Sequence, residues 1–185
     1  MPVAEPMTAA QYLDLWDEGE YRWAQLVGGE LIMDPPKMPH QLVCTQLIVE
    51  LELWIRAEPG RGVVSIPLAI GISEHDVYQP DIVFYRADRV PAPDTRPPYV
   101  VPDLAVEVRS PGTWRYDIGA KKSGYEGAGL AELWLVDTAA PSVLVFRRSR
   151  PGAPEFDVAL ELTRDDALTS PLLPGFSLAV GAIFS

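Results

Sequence analysis

YQPDIVFY, residues 78–85, opens with two groups that a buried strand ordinarily excludes. Ile82, Val83, Phe84 and Tyr85 form an unbroken apolar run of the kind found in the middle of a sheet. Directly before them stand Pro80, which has no N–H to give to a ladder, and Asp81, a carboxylate at the edge of a dry region. LAVEVRS, residues 104–110, repeats the anomaly, because Glu107 interrupts a strand otherwise built from Leu104, Ala105, Val106 and Val108. Side chains alternate along a strand, so Ala105, Glu107 and Arg109 share one face while Val106 and Val108 share the other. If the two strands are neighbours, Asp81 and Glu107 converge at one sheet edge. Two carboxylates buried together repel, and one must take up a proton unless a cation lies between them. A hard, oxygen-rich site of this kind suits Mg²⁺ or Mn²⁺.

A third element follows closely. WRYDIGAKKSGYEGAG, residues 114–129, reads as a helix on which Asp117, Lys121 and Tyr125 recur every fourth position along one stripe. A lysine beside a bound cation can orient the attacking water or hold an anionic transition state. Lys122 is turned about 100° from Lys121 and is expected to face solvent.

Each residue also has an ordinary structural reading. Asp81 after a proline can bond nearby backbone at a strand start. Glu107 can pair with Arg109 on its own face. Asp117 and Lys121 can form a solvated helical ion pair, and His40 can cap the helix it begins. Glu30 reads as a solvent-facing hairpin residue and His75 as part of a polar turn. The five tryptophans read as core or interface anchors rather than base-stacking platforms.

Around these strands, residues 8–19 predict a short helix capped by Thr8, and residues 22–34 a hairpin turning at Gly28-Gly29. A long helix runs from His40 until Pro59-Gly60. GVVSIPLAIGI (62–72) and YQPDIVFY are read as two strands joined through SEHDV. Five prolines between Val90 and Asp103 mark a long loop. LAELWLVDT and PSVLVFRRS predict a strand pair, and the tail one more strand, a turn and a short helix. Strands interleaved with few helices indicate an α/β (α+β) architecture, expected as one domain over residues 1–185.

Composition narrows the function classes. Hydrophobic residues make up 48% and charged residues 22%, an ordinary globular balance. No apolar run is long enough to cross a bilayer, and MPVAEPMTAAQY lacks the pattern of a signal peptide. The single cysteine, Cys44, allows no internal disulfide, and a reducing cytoplasm is the expected setting. With 26 acidic and 15 basic residues the net charge is −11, which argues against coating nucleic acid by charge alone. It leaves room for a site that meets phosphate through a divalent cation.

Pro80-Asp81, Glu107 and the nearby lysine resemble the PD-(D/E)-x-K signature of the restriction-endonuclease-like nucleases. The chain is also similar to the Uma-type endonucleases, a large bacterial family long catalogued as a domain of unknown function. LVGGELIMDPPKMPHQLV, VYQPDIVFY, PDLAVEVRSPGT, RYDIGAKKSGYEGAGLAELWLVD and LLPGFSLAV carry the likeness in order over nearly the full length. The resemblance implies a restriction-endonuclease-like core, a mixed twisted sheet flanked by helices. It implies an endonuclease that hydrolyses phosphodiesters in nucleic acid, DNA above all, as a homodimer. Asp81, Glu107 and the Val108 carbonyl would bind Mg²⁺ or Mn²⁺, and Lys121, displaced onto the helix, would act on the water. Glu30 and His40 are carried over as further catalytic residues. Arg109 stands where a plain E-x-K has lysine, and being always protonated it can bind phosphate but not act as a base. Two departures stand out: Gln25 and Gly28 occupy positions where the family usually has acids. They keep alive a non-catalytic dimerisation or binding module, and the acidic charge keeps alive a hydrolase of smaller phosphoesters.

Overall fold

The computed structural model describes residues 5–17, 21, 23–33, 35–110 and 112–185. Helix α1 (Ala9–Asp17) begins with a reciprocal cap. The Gln11 N–H donates to Thr8 Oγ1 at 3.3 Å while the Thr8 N–H donates to Gln11 Oε1 at 2.8 Å. Its expected extension to Gly19 lies outside the described residues. Strands β1 (Gln25–Val27) and β2 (Glu30–Ile32) form the expected hairpin. Gly28 and Gly29 both take positive φ, +58° and +78°, as a two-residue turn matched to strand twist requires. Helix α2 (Met38–Ala57) starts two residues ahead of His40, with Pro39 in its first turn, and stops before Pro59-Gly60.

The next segment departs from expectation. Residues 62–85 hold four strands: β3 (Val63–Ser65), β4 (Ile70–Ser73), β5 (Asp76–Tyr78) and β6 (Ile82–Tyr85). Pro67 and Pro80 each break what reads as one continuous strand, because neither can donate to a ladder. At both breaks the chain changes sheets. Strands β4 and β5 join β1 and β2 in a four-stranded sheet of order β2-β1-β5-β4, whereas β3 and β6 belong to a six-stranded one. Asp81 therefore sits on a crossing between sheets rather than inside a strand.

The large sheet is completed by β7 (Leu104–Val108), β8 (Glu132–Asp137), β9 (Ser142–Arg147) and β10 (Val158–Thr163), in the order β10-β9-β8-β7-β6-β3. Its β7–β8 pair is parallel and the others antiparallel, so the sheet is mixed. A parallel pair needs a crossover. Here it is helical: α3 (Trp114–Tyr116), one π turn (Asp117–Lys121) and α4 (Lys122–Gly127). The tail holds two further short strands, β11 (Ala167–Leu168) and β12 (Leu178–Ala179), before α5 (Val180–Ile183).

Strand alternation sorts the core. Ile82, Phe84, Val106, Val108, Trp134 and Val136 pack on Val43, Cys44, Leu47 and Leu51 of α2 and on the C-terminal elements. Ala105, Leu133 and Leu135 face the other way, onto Tyr125 of α4 and onto Val27 and Tyr78 of the small sheet. Each large side chain so buried contributes about 1.5–3 kcal/mol. Gly124 permits the closest approach between these layers, since a Cβ there would lie 2.3 Å from the Tyr78 hydroxyl. Glu107 belongs to this second face, directly beneath the crossover helix. Among the described residues no helix is long and apolar enough to cross a membrane.

Candidate functional site

The pairing of β6 with β7 decides where the two anomalous carboxylates stand. Ile82 lies opposite Val106, so Asp81, one residue earlier, comes level with Glu107. Asp81 Oδ2 accepts the Val108 N–H at 2.7 Å and lies 3.2 Å from His40 Nε2. The backbone-bonding role open to Asp81 is thus real, and it is what brings the carboxylate to the end of β7.

Glu107 is 4% exposed. Its Oε1 meets Lys121 Nζ at 2.6 Å and accepts the Tyr125 hydroxyl at 2.7 Å. The expected alternative of a Glu107–Arg109 pair is not formed. Arg109 Nη1 instead donates to both carboxylate oxygens of Asp137 at 2.9 Å, on the strand beyond. Nor is Asp117–Lys121 a solvated pair. Both are buried, 3.0 Å apart, because the π turn directs both side chains under the sheet. π turns recur at functional sites. Thr113 Oγ1 donates to Asp117 Oδ2 at 3.2 Å and lies 2.7 Å from Ser110 Oγ, linking the buried lysine to the surface.

The electrostatics of this cluster are unbalanced. Glu107 and Asp117 share one ammonium while the Asp81 charge also acts on Glu107, and neither contact of Lys121 Nζ has hydrogen-bond geometry. Burial pushes the Glu107 carboxyl up to about 8, with the Asp117 and Asp81 charges adding to it and Lys121 opposing. Burial would lower Lys121, but Asp117 and Glu107 outweigh it and hold its pKa above the ordinary value. Burial also works against charging His40, and the hydrogen bond and charge of Asp81 overcome it, so its pKa rises.

His40 Nδ1 lies 3.6 Å from Cys44 Sγ, and His40, Cys44 and Asp81 bring one donor atom each within 4.8 Å of one another. Burial raises the Cys44 thiol well above its usual range, so it stays protonated and is a poor ligand. Asp81 and Glu107 are the carboxyl oxygen donors left. Both line a cavity of about 100 Å³ together with Val108, His40, Gln25 and Gln79. Surplus carboxylate in a small polar cavity fits a hard divalent cation.

Other expected residues fall elsewhere. Glu30 is exposed on β2 and does not line the cavity, whereas Gln25, on the facing strand, does. Lys121 stands behind Glu107 rather than on the cavity wall. Trp23 is 75% exposed and lines the cavity, so of the core and interface readings it is not in the core. Lys122 does not stand free in solvent; its Nζ lies 4.7 Å from the Phe146 ring centroid. A neighbouring depression shares His40 and Ser110 and adds Lys37 and Arg109. Gln79, Ser110 and Thr113 escaped the sequence reading, since neutral polar residues carry no pattern of their own.

The family described as "Uma2: Putative restriction endonuclease" matches residues 9–181. The chain belongs to this family. Among solved structures, the chain is similar to a crystal structure from Anabaena variabilis described as "a putative nuclease belonging to DUF820". The two superpose with a TM-score of 0.78 at 18% identity, over 97% of this chain and 98% of the other. The Uma2 chain thus has the mixed, restriction-endonuclease-like α+β fold expected from its sequence. No curated protein matches it.

Proposed function

We propose that this Uma2-family chain is a divalent-metal-dependent endonuclease that hydrolyses phosphodiester bonds in DNA. The observation carrying the reading is the β6–β7 register, which sets Asp81 level with Glu107 beside a buried lysine. Asp81, Glu107 and the Val108 carbonyl would hold Mg²⁺ or Mn²⁺. When bound, such an ion stabilises negative charge on the phosphoryl group and makes water more acidic. Lys121 holds the Glu107 carboxylate and sets positive charge behind the cavity, where a pentavalent phosphorus gathers negative charge. His40 fixes Asp81 from the first turn of α2. Glu30, outside the cavity, has no step in this scheme.

Cavity size separates the substrates. A site enclosing a whole small ligand spans about 300–1,000 Å³. The cavity here, about 100 Å³, admits one phosphate group and a few waters. That favours attack on a phosphodiester presented from outside over hydrolysis of an engulfed small phosphoester. Lys37 and the exposed Trp23 lie where such a strand would pass. The second reading, a catalytically silent module, draws on Gln25, a neutral residue on the cavity wall.

The homodimer belongs to the same proposal, and α2 is its natural contact. Met38, Leu42, Val49 and Leu53 are exposed along one helical stripe. They are spaced symmetrically about the Thr45–Gln46 midpoint, so an antiparallel copy would match Met38 with Leu53 and Leu42 with Val49. Self-matching is what a two-fold contact requires, and the stripe carries no charge in a chain of net −11. The buried thiol of Cys44 accords with a reducing cytoplasm.

The test is Mn²⁺-dependent cleavage of single- and double-stranded DNA by the wild type, Asp81→Ala and Lys121→Ala. Activity lost in both folded variants supports the assignment. Equal cleavage by all three identifies a contaminant and removes it.

A further inference from the structure

A concentration of arginines lies at the opposite end of the large sheet. Asp103 precedes β7 and Glu107 nearly ends it, about 13 Å further along at the rise of a strand. Around Asp103 and the first residue of β8 opens a cavity of about 570 Å³ lined by Arg86, Arg89, Arg147, Arg148 and Arg150. One third of the 15 basic residues of an acidic chain thus converge on one concavity.

The carboxylates present are already engaged. Asp103 is held by Arg86 Nε at 3.1 Å and Arg89 Nη1 at 2.8 Å. Glu132 accepts the Trp134 indole N–H at 2.6 Å and the Ser170 hydroxyl at 2.7 Å. Arg148 is structural, its guanidinium donating to the carbonyls of Leu130, Ala153 and Glu126. Arg147 and Arg150 make no side-chain hydrogen bond or ion pair among the described residues, and Arg86 commits only its Nε. Three guanidinia therefore present unused donors to a space large enough for a nucleotide. Two of the five are pre-ordered by Asp103, which reduces what binding costs in side-chain freedom.

We propose that this cavity binds a small, multiply charged phosphate ligand of the pyrophosphate or nucleoside polyphosphate class. Guanidinium forks match phosphate oxygens in pairs, and several together select for more than one negative charge. The site stands apart from the proposed cleavage centre and does not depend on it.

Calorimetric titration with inorganic pyrophosphate and with ADP, in EDTA and at constant ionic strength, tests this. The wild type should bind at least one of them, and tighter binding of ADP would assign the rest of the cavity to a nucleoside. Arg147→Ala/Arg150→Ala should weaken binding by about tenfold or more, with the circular dichroism spectrum unchanged. Asp81→Asn should leave it intact. The proposal is overturned if neither probe binds, if sulfate binds equally well, or if the double variant binds like the wild type. Loss of binding in Asp81→Asn, or binding of a DNA oligonucleotide alone, overturns it as well.

Discussion

The carboxylate of Asp81 accepts the main-chain N–H of Val108 at 2.7 Å, pinning the crossing between the two sheets to the end of β7. Through that bond the backbone itself sets a metal-ligand candidate beside Glu107. Asp81→Ala should cost about 1–3 kcal/mol, the penalty of leaving a largely buried N–H without an acceptor. Asp81→Asn keeps an acceptor and should cost less, while removing the charge that a cation needs. Urea unfolding of the two variants checks the order.

Lys121 is the buried counter-charge to Glu107 and Asp117. Replacing it by methionine leaves Asp117 without a counter-charge beside the Glu107 carboxyl in a dry site. Breaking a buried pair in this way costs about 3–5 kcal/mol. Adding Asp117→Asn should recover part of the loss, so the double variant will be more stable than the sum of the singles predicts. Additive losses in denaturant unfolding would contradict the coupling.

Proton uptake gives a separate signature. In the folded protein Glu107 holds its proton up to about pH 8, against an ordinary carboxyl value of 4.5. Between those values the folded state carries more protons than the unfolded one. Its contribution to stability is complete below 4.5 and is lost as pH climbs to about 8. Glu132 and His40 shift in the same direction, so a comparison is needed. In EDTA, melting temperature should fall from pH 5 to 8 in the wild type and less steeply in Glu107→Gln. Mn²⁺ should reduce the wild-type fall, because it favours the ionised carboxylate.

How much of this was legible in the sequence follows from the physics of each signal. A charge in an apolar strand is conspicuous, so Asp81 and Glu107 stood out, and their adjacency needed only that β6 and β7 pair. The hairpin at Gly28-Gly29 and the Thr8 cap were readable because both are local. The split of residues 62–85 into four strands was not. Pro67 and Pro80 announce breaks, but a break does not say which sheet the chain joins next. Burial of Lys121 was hidden for a similar reason: Asp-x-x-x-Lys looks alike on a wet or a dry helix face. Only the π turn and the sheet above it decide which. Arg109 misled because its partner, Asp137, comes from the neighbouring parallel strand.

The α2 stripe yields a prediction about assembly. Leu42→Glu would place carboxylates in the middle of a self-matched apolar contact, and like charges there are strongly unfavourable. Sedimentation equilibrium should show a wild-type dimer and a monomeric variant. A wild-type monomer at tens of micromolar would remove the α2 contact and leave the active-site account untouched.

The central claim is that Asp81 and Glu107 together hold one hard cation. Mn²⁺ binding followed by electron paramagnetic resonance tests it most directly, with no dependence on substrate. One ion per chain should bind to the wild type, and Asp81→Asn and Glu107→Gln should each weaken it by roughly tenfold or more. Undiminished Mn²⁺ binding in both folded variants would place the ion elsewhere and contradict the account.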